Sequence, residues 1–172
     1  VSKAEDRLER VEGEVLETAP QGSMNTATTC LVDGALRTIF AQDHVIRVQF
    51  PSAVGGSSEP EPDIAVVTGR PRDYLASHPT TAVLVVEVSD SSLAYDQGHK
   101  KALYAASGIP EYWIVNLVDN HLEVFRKPDQ GTYQSHAVLT SGDEVSPLAR
   151  PEASIPVVDL LPFIFSQPNP SV

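Results

Sequence analysis

A chain of 172 residues, 41% hydrophobic and 6% aromatic, is long enough to bury one sizeable core and too short for two ordinary domains. Its repeated Val, Ile and Leu runs exclude a disordered chain, and its single cysteine, Cys30, excludes an internal disulfide framework or a cysteine-based metal knuckle. A formal net charge of −11 excludes a protein that coats nucleic acid through a general Lys and Arg excess, so action on a polyanion has to rest on local charge.

The opening "VSKAEDRLERVEGEV" is charged and lacks an apolar core of signal-peptide length, and no later stretch approaches the ~18 apolar residues of a membrane span. The expectation is a cytoplasmic protein with no membrane partner. Residues 1–165 are expected to form one domain and 166–172, "SQPNPSV", a loose tail.

In chain order, "RLERVEGEVLET" predicts an acidic amphipathic turn, then Gly13 and a short β-like run. "SMNTATTCLVDGALRTIF" places Leu31, Leu36, Ile39 and Phe40 at near-helical spacing behind Ser23 and Asn25, both good N-cap residues, and predicts the first long helix. "HVIRVQF" alternates and reads as a strand; "PSAVGGSSEPEP" is a loop; "PDIAVV" is a second strand. "RPRDYLASHPTT" is a surface connection with room for a short helix. "AVLVVEVS" is apolar on both alternating faces, the mark of a central strand covered on both sides. A helix is predicted from about Tyr95 to Ser107, ended by Gly108 and Pro110. "EYWIVNLVDNHLEVFR" predicts two strands about the turn "VDN", and "GTYQSHAVLT" a third. The order is that of a mixed sheet with helices packed on it, α+β or α/β, with additional antiparallel hairpins.

Glu87 stands inside the most apolar of these strands, where an unpaired carboxylate is expensive. On that strand it shares a face with Val83, Val85 and Ser89, opposite Leu84, Val86 and Val88. Asp63 opens the preceding strand, and pairing of the two brings both acids to one spot, where they repel unless a cation lies between them. The following helix carries Asp96 and Lys100 four residues apart on the face of Leu103 and Tyr104, so Lys100 turns inward while Lys101 faces solvent. A lysine beside two carboxylates answers Glu87. Two acids that hold Mg²⁺ or Mn²⁺ leave coordination sites for water and a phosphate oxygen, a pattern that suits phosphodiester hydrolysis.

"PDIAVV", "LVVEVSDSSLAYD", the lysine at 100, "LYAASGIPEYWIV" and "LEVFRKP" resemble the Uma-two family of bacterial proteins with the restriction-endonuclease-like PD-(D/E)XK fold, over nearly the whole chain from "RLERVEGEV" to "VVDLLP". The resemblance implies a restriction-endonuclease-like mixed sheet flanked by helices, a metal-dependent nuclease core with Asp63 and Glu87 as the metal-binding acids, and Lys100 as the basic residue. In the wider superfamily that lysine lies two positions after the acid, where this chain has Ser89; the helix-borne Lys100 is similar to the rearranged form of this family. An acid near the amino terminus is matched by Glu9. Family members commonly carry histidine where this chain has Asn25.

The sequence therefore predicts a Mg²⁺- or Mn²⁺-dependent DNA endonuclease-like phosphodiesterase acting as a homodimer on nucleic acid. Asp63 and Glu87 are its ligands, the Val88 carbonyl a third, Lys100 its base or charge stabiliser, and Glu9, Asp96 and Ser89 are accessory residues. Beside this stand plainer readings: Asp63 as a strand opener, Glu87 and Lys100 as a structural ion pair, Asp96 as a first-turn acid complementing the helix dipole. Tyr104, Tyr112 and Trp113 read as core, and the five histidines have no zinc spacing. No phosphate-cradling glycine motif or nucleophile elbow is present. The competing class is a nuclease scaffold retained as a non-catalytic binding or assembly module, which the acidity favours.

Overall fold

The computed structural model describes residues 22–40, 43–49 and 60–162 in full, and 7–11 and 14–18 as backbone. Strands β1 (Arg7–Val11) and β2 (Glu14–Thr18) pair as an antiparallel hairpin. The β-like run after Gly13 is thus found, but the amphipathic turn expected before it is a strand: its backbone groups are taken up by the Val- and Thr-containing partner. Helix α1 (Ser23–Ile39) follows. Its N-cap is Gly22, with no side-chain cap, so Ser23 and Asn25 lie inside the first turn.

A six-stranded sheet has the order β3 (His44–Val48), β4 (Ile64–Thr68), β5 (Leu84–Ser89), β6 (Glu111–Asn116), β7 (His121–Asp129) and β8 (Thr132–Leu139). Every neighbouring pair is antiparallel except β5 and β6, which run parallel because a helical crossover joins them. The connection after β4 holds the short helix allowed for in the sequence, a 3₁₀ turn at Pro71–Tyr74. A two-stranded ladder of β9 (Glu144–Val145) and β10 (Ile155–Pro156), then a 3₁₀ turn at Val157–Leu160, close the described chain. The expected tail, 166–172, lies outside the described residues, as does most of the loop before Pro60.

All six residues of β5 are buried, as a strand covered on both faces requires. Leu84, Val86 and Val88 join Val32 and Leu36 of α1, Trp113, and Leu160 in one core. Val85 faces the other, with Tyr104, Ile109, Tyr112 and Phe125.

The crossover on that second face is where local structure departs most from expectation. It begins at α2 (Leu93–Tyr95), two residues early, loosens into a π-helix at Asp96–Lys100, and resumes as α3 (Lys101–Ala106). Gly108, at φ +72°, ends it as expected: its N–H bonds to the Ala105 carbonyl and that of Ile109 to Tyr104, an exit glycine makes without strain. A four-residue step overshoots one α-turn by roughly 40°, whereas the wider i→i+5 winding undershoots it. The π-turn thus cancels the drift and brings Asp96, Lys100 and Tyr104 onto one line facing β5. Lys101 does not simply face solvent; its Nζ lies 5.0 Å over the Phe125 ring, covering apolar surface with its stem. Among the described residues no helix is long and apolar enough to cross a membrane.

Candidate active site

The register of β4 on β5 runs Val66 to Leu84, Ala65 to Val85 and Ile64 to Val86, and there the regular pairing stops. The residue before Ile64 is Asp63, and its side chain takes over the ladder: Oδ2 accepts the Val88 N–H at 2.8 Å. In return the Asp63 N–H donates to Glu87 Oε2 at 3.4 Å. The two acids are held together through the backbone N–H groups of Asp63 and Val88, at the end of β5 and in the middle of the sheet.

Glu87 Oε1 accepts from Lys100 Nζ at 3.1 Å and from the Tyr104 hydroxyl at 2.8 Å. Lys100 also lies 3.7 Å from Asp96 Oδ1. Asp96 is fixed by its other oxygen, Oδ2, which accepts from Ser89 Oγ at 2.7 Å and Ser92 Oγ at 2.6 Å. Ser89 braces the acid that lies beside the lysine of the helix. Asp63, Glu87, Asp96 and Lys100 are all at most 7% exposed. Among the described residues three carboxylates, Asp63, Glu87 and Asp96, and one ammonium gather here, in surroundings where buried charge is costly unless it is paired.

Of the predicted residues, Asp63, Glu87, Lys100, Asp96 and Ser89 come together with the Val88 peptide. Glu9 lies on β1 opposite Leu16, and its side chain is outside the described residues. Three further groups join them: two tyrosines read as core, and Asn25, at the position where the resembling family carries histidine. Tyr104, placed in the core, is fully buried but aims its hydroxyl at Glu87; the spacing of four from Lys100 carried that signal. Tyr112 donates to the Asp96 carbonyl at 3.2 Å, and burial, then the charges of Glu87 and Asp96, push its phenol well above the usual range, so it stays a donor. Asn25, read as an N-cap, donates through Nδ2 to the Val88 carbonyl at 3.1 Å across 63 positions of sequence, which no local pattern announces. The carbonyl has two lone pairs and Asn25 uses one.

Tyr104→Phe removes one donor from a buried carboxylate while keeping the ring. It is expected to cost about 1.5–3 kcal/mol in denaturant unfolding with an unchanged m-value; a cost below about 0.5 kcal/mol would mean that the hydroxyl bond adds little.

No group of three or more His, Cys, Asp and Glu side chains among the described residues is arranged to hold a metal ion. Mg²⁺ does not require one, since it is commonly held by one or two carboxylates with water and phosphate oxygens completing an octahedron. The donors gathered here are hard oxygens, and Asp96 Oδ1 is buried with no hydrogen-bond partner. This donor set fits a small divalent cation and offers no soft ligand.

A fold of this kind, with acids at the end of a central strand and a lysine above them, is that of the restriction-endonuclease-like proteins. The chain belongs to the Uma2 family, described as "putative restriction endonuclease", whose profile matches residues 2–158. It is similar in structure to a "putative nuclease belonging to DUF820" from Anabaena variabilis ATCC 29413, with a TM-score of 0.74 over 93% of this chain and 92% of that one, at 16% identity. At that identity the likeness is one of fold, and it bears out the mixed sheet with flanking helices. The family description carries nuclease function in general terms. No curated protein matches the chain.

Proposed function

We propose that the protein is a metal-dependent nuclease that hydrolyses phosphodiester bonds, DNA endonuclease-like, with Mg²⁺ or Mn²⁺ held by Asp63, Glu87 and the Val88 carbonyl. The convergence of Asp63, Glu87 and Lys100 at the end of β5, all buried, carries the reading. When bound, the cation supplies Lewis acidity toward a phosphoryl oxygen. The chain's own groups do the rest. Lys100 orients the attacking water or stabilises negative charge gathering on the pentacovalent phosphorus. Tyr104 and Asp96 hold Glu87 and Lys100 in place, and the Asn25 amide fixes the Val88 peptide.

One observation favours the second reading, a scaffold without catalysis. Both Glu87 oxygens already accept from protein groups, Oε1 from Lys100 and Tyr104 and Oε2 from the Asp63 N–H, as in a purely structural ion pair. Calorimetric titration with Mn²⁺ separates the two. The nuclease reading expects one bound ion per chain in the wild type, lost in Asp63→Asn, and Mn²⁺- or Mg²⁺-dependent cleavage of plasmid DNA that EDTA stops and Asp63→Asn lacks. Absence of bound metal, together with no cleavage of either DNA or RNA, leaves the scaffold. Cleavage of RNA alone would keep the chemistry and move the substrate. Sedimentation of the wild type tests the accompanying expectation of a dimer.

A further inference from the structure

A second polar cluster lies on the same sheet face, two strands from Glu87, and nothing in the chemistry above uses it. In register, Glu87 of β5 faces Ile114 of β6, which faces Glu123 of β7, so the two acids stand about 10 Å apart on one face. Glu123 is only 4% exposed. Its Oε1 accepts from Gln97 Nε2 at 2.6 Å and from Asn116 Nδ2 at 3.3 Å, with His121 Nε2 at 3.5 Å; its Oε2 faces His136 Nε2 at 3.2 Å. The His136 ring lies flat on Phe125, centroids 4.3 Å apart, so the imidazole cannot swing away without losing that stack. Glu123 is thereby held in one orientation, with one oxygen aimed at Gln97.

Gln97 belongs to the π-turn, directly after Asp96 and three residues before Lys100. A π-turn is a rare winding, and it persists where contacts outside the helix fix its extra residue. On the β5 and β6 side those contacts are Ser89 Oγ and Tyr112 Oη, both on Asp96. On the β7 side the contact is Gln97 on Glu123, the shorter of the cluster's two amide bonds to that acid. Relaxation of the turn to α-winding would rotate everything after Gln97 relative to Asp96, and Lys100 would leave the line that brings it to Glu87.

We propose that Glu123 is a positioning residue: through Gln97 it fixes the π-turn and so sets where the Lys100 ammonium stands. Its catalytic consequence rests on the nuclease reading above, but the positioning itself does not. Glu123 is too deeply buried to touch a polymer, and its effect passes through the helix backbone.

The test uses the full chain and three variants. Gln97→Ala removes the tie, Gln97→Glu sets two carboxylates against each other, and Gln97→Glu with Glu123→Gln restores a hydrogen bond with donor and acceptor exchanged. Amide hydrogen exchange is measured on the metal-free protein, where neither metal nor substrate enters. Exchange of the amides of 97–101 is expected to rise about tenfold in Gln97→Ala, more in Gln97→Glu, and to return toward the wild-type rate in the double variant, while β5 and β6 keep their protection. In the cleavage assay the single variants are expected to lose about 10- to 100-fold in kcat with KM changed less than about threefold, and the double variant to recover most of it. Unchanged exchange in Gln97→Ala, or a double variant that exchanges as fast as Gln97→Glu alone, overturns the proposal. A wild type that binds no Mn²⁺ and cleaves nothing ends the nuclease reading, and the exchange rates still decide the tie.

Discussion

Glu111→Ala is expected to destabilise the fold by about 3–5 kcal/mol, the range for stranding one partner of a buried ion pair. Glu111 opens β6, is fully buried, and uses both oxygens. Oε1 accepts from Arg126 Nε at 2.9 Å and Nη2 at 2.7 Å and from Trp113 Nε1 at 2.9 Å; Oε2 accepts the Leu148 N–H at 2.7 Å. One carboxylate therefore ties β6 to β7 and to the segment that returns before β10. Arg126 also donates to the Ser146 carbonyl at 2.6 Å, so it cannot follow water without dropping that segment. Alanine leaves the indole N–H and the Leu148 N–H without their acceptor and the guanidinium without its counter-ion. At 172 residues the loss corresponds to a fall in Tm of roughly 10 °C. Denaturant unfolding checks it; a cost near 1 kcal/mol would show that the segment 146–148 relaxes and readmits water.

Much of this fold is legible in the sequence, and the part that is not has a common cause. The run Leu84–Ser89 is legible because a strand covered on both faces has to be apolar at every position, which makes its one carboxylate conspicuous. Gly108 and Pro110 announce a helix end because a left-handed exit excludes most other residues. Lys100 is legible against Lys101 because a helix gives each residue a definite bearing. Local rules fail where a contact spans the chain. Asn25 is a fair N-cap by composition, yet its amide is drawn to a carbonyl that only the packing of α1 on the sheet brings near. Tyr104 satisfies core burial whether or not its hydroxyl finds an acceptor, so the ring conceals the polar role. The π-turn has no compositional mark, since five residues with one glycine suit either winding and tertiary ties select between them. The hairpin at Arg7–Thr18 was half legible because the charged residues of its first strand fit a helical turn as well as a ladder.

Lys100→Met is expected to separate the two readings of the site more sharply than any change to the acids, because it alters stability, metal affinity and rate in different directions. Without Lys100, Glu87 and Asp96 lose the ammonium 3.1 and 3.7 Å away and remain buried beside Asp63. The metal-free fold is then expected to lose about 3–5 kcal/mol. The same ammonium opposes any cation that shares Glu87, so its removal is expected to tighten Mn²⁺ at least about tenfold, or ~1.4 kcal/mol. Saturating Mn²⁺ should therefore restore much of the lost stability, since a ligand that binds only the folded state stabilises in proportion to the logarithm of its concentration over Kd. Cleavage nevertheless is expected to fall by about 10²–10³, the usual cost of removing one preorganised group that stabilises developing charge. A lysine that serves only as a structural counter-ion predicts a different pattern: the same loss of stability, no recovery with Mn²⁺, and no dependence of any wild-type property on the metal. Thermal unfolding of wild type and Lys100→Met with EDTA and with Mn²⁺ reads the difference, and recovery in the variant larger than the gain in the wild type is the result that requires metal and lysine to share the same carboxylates.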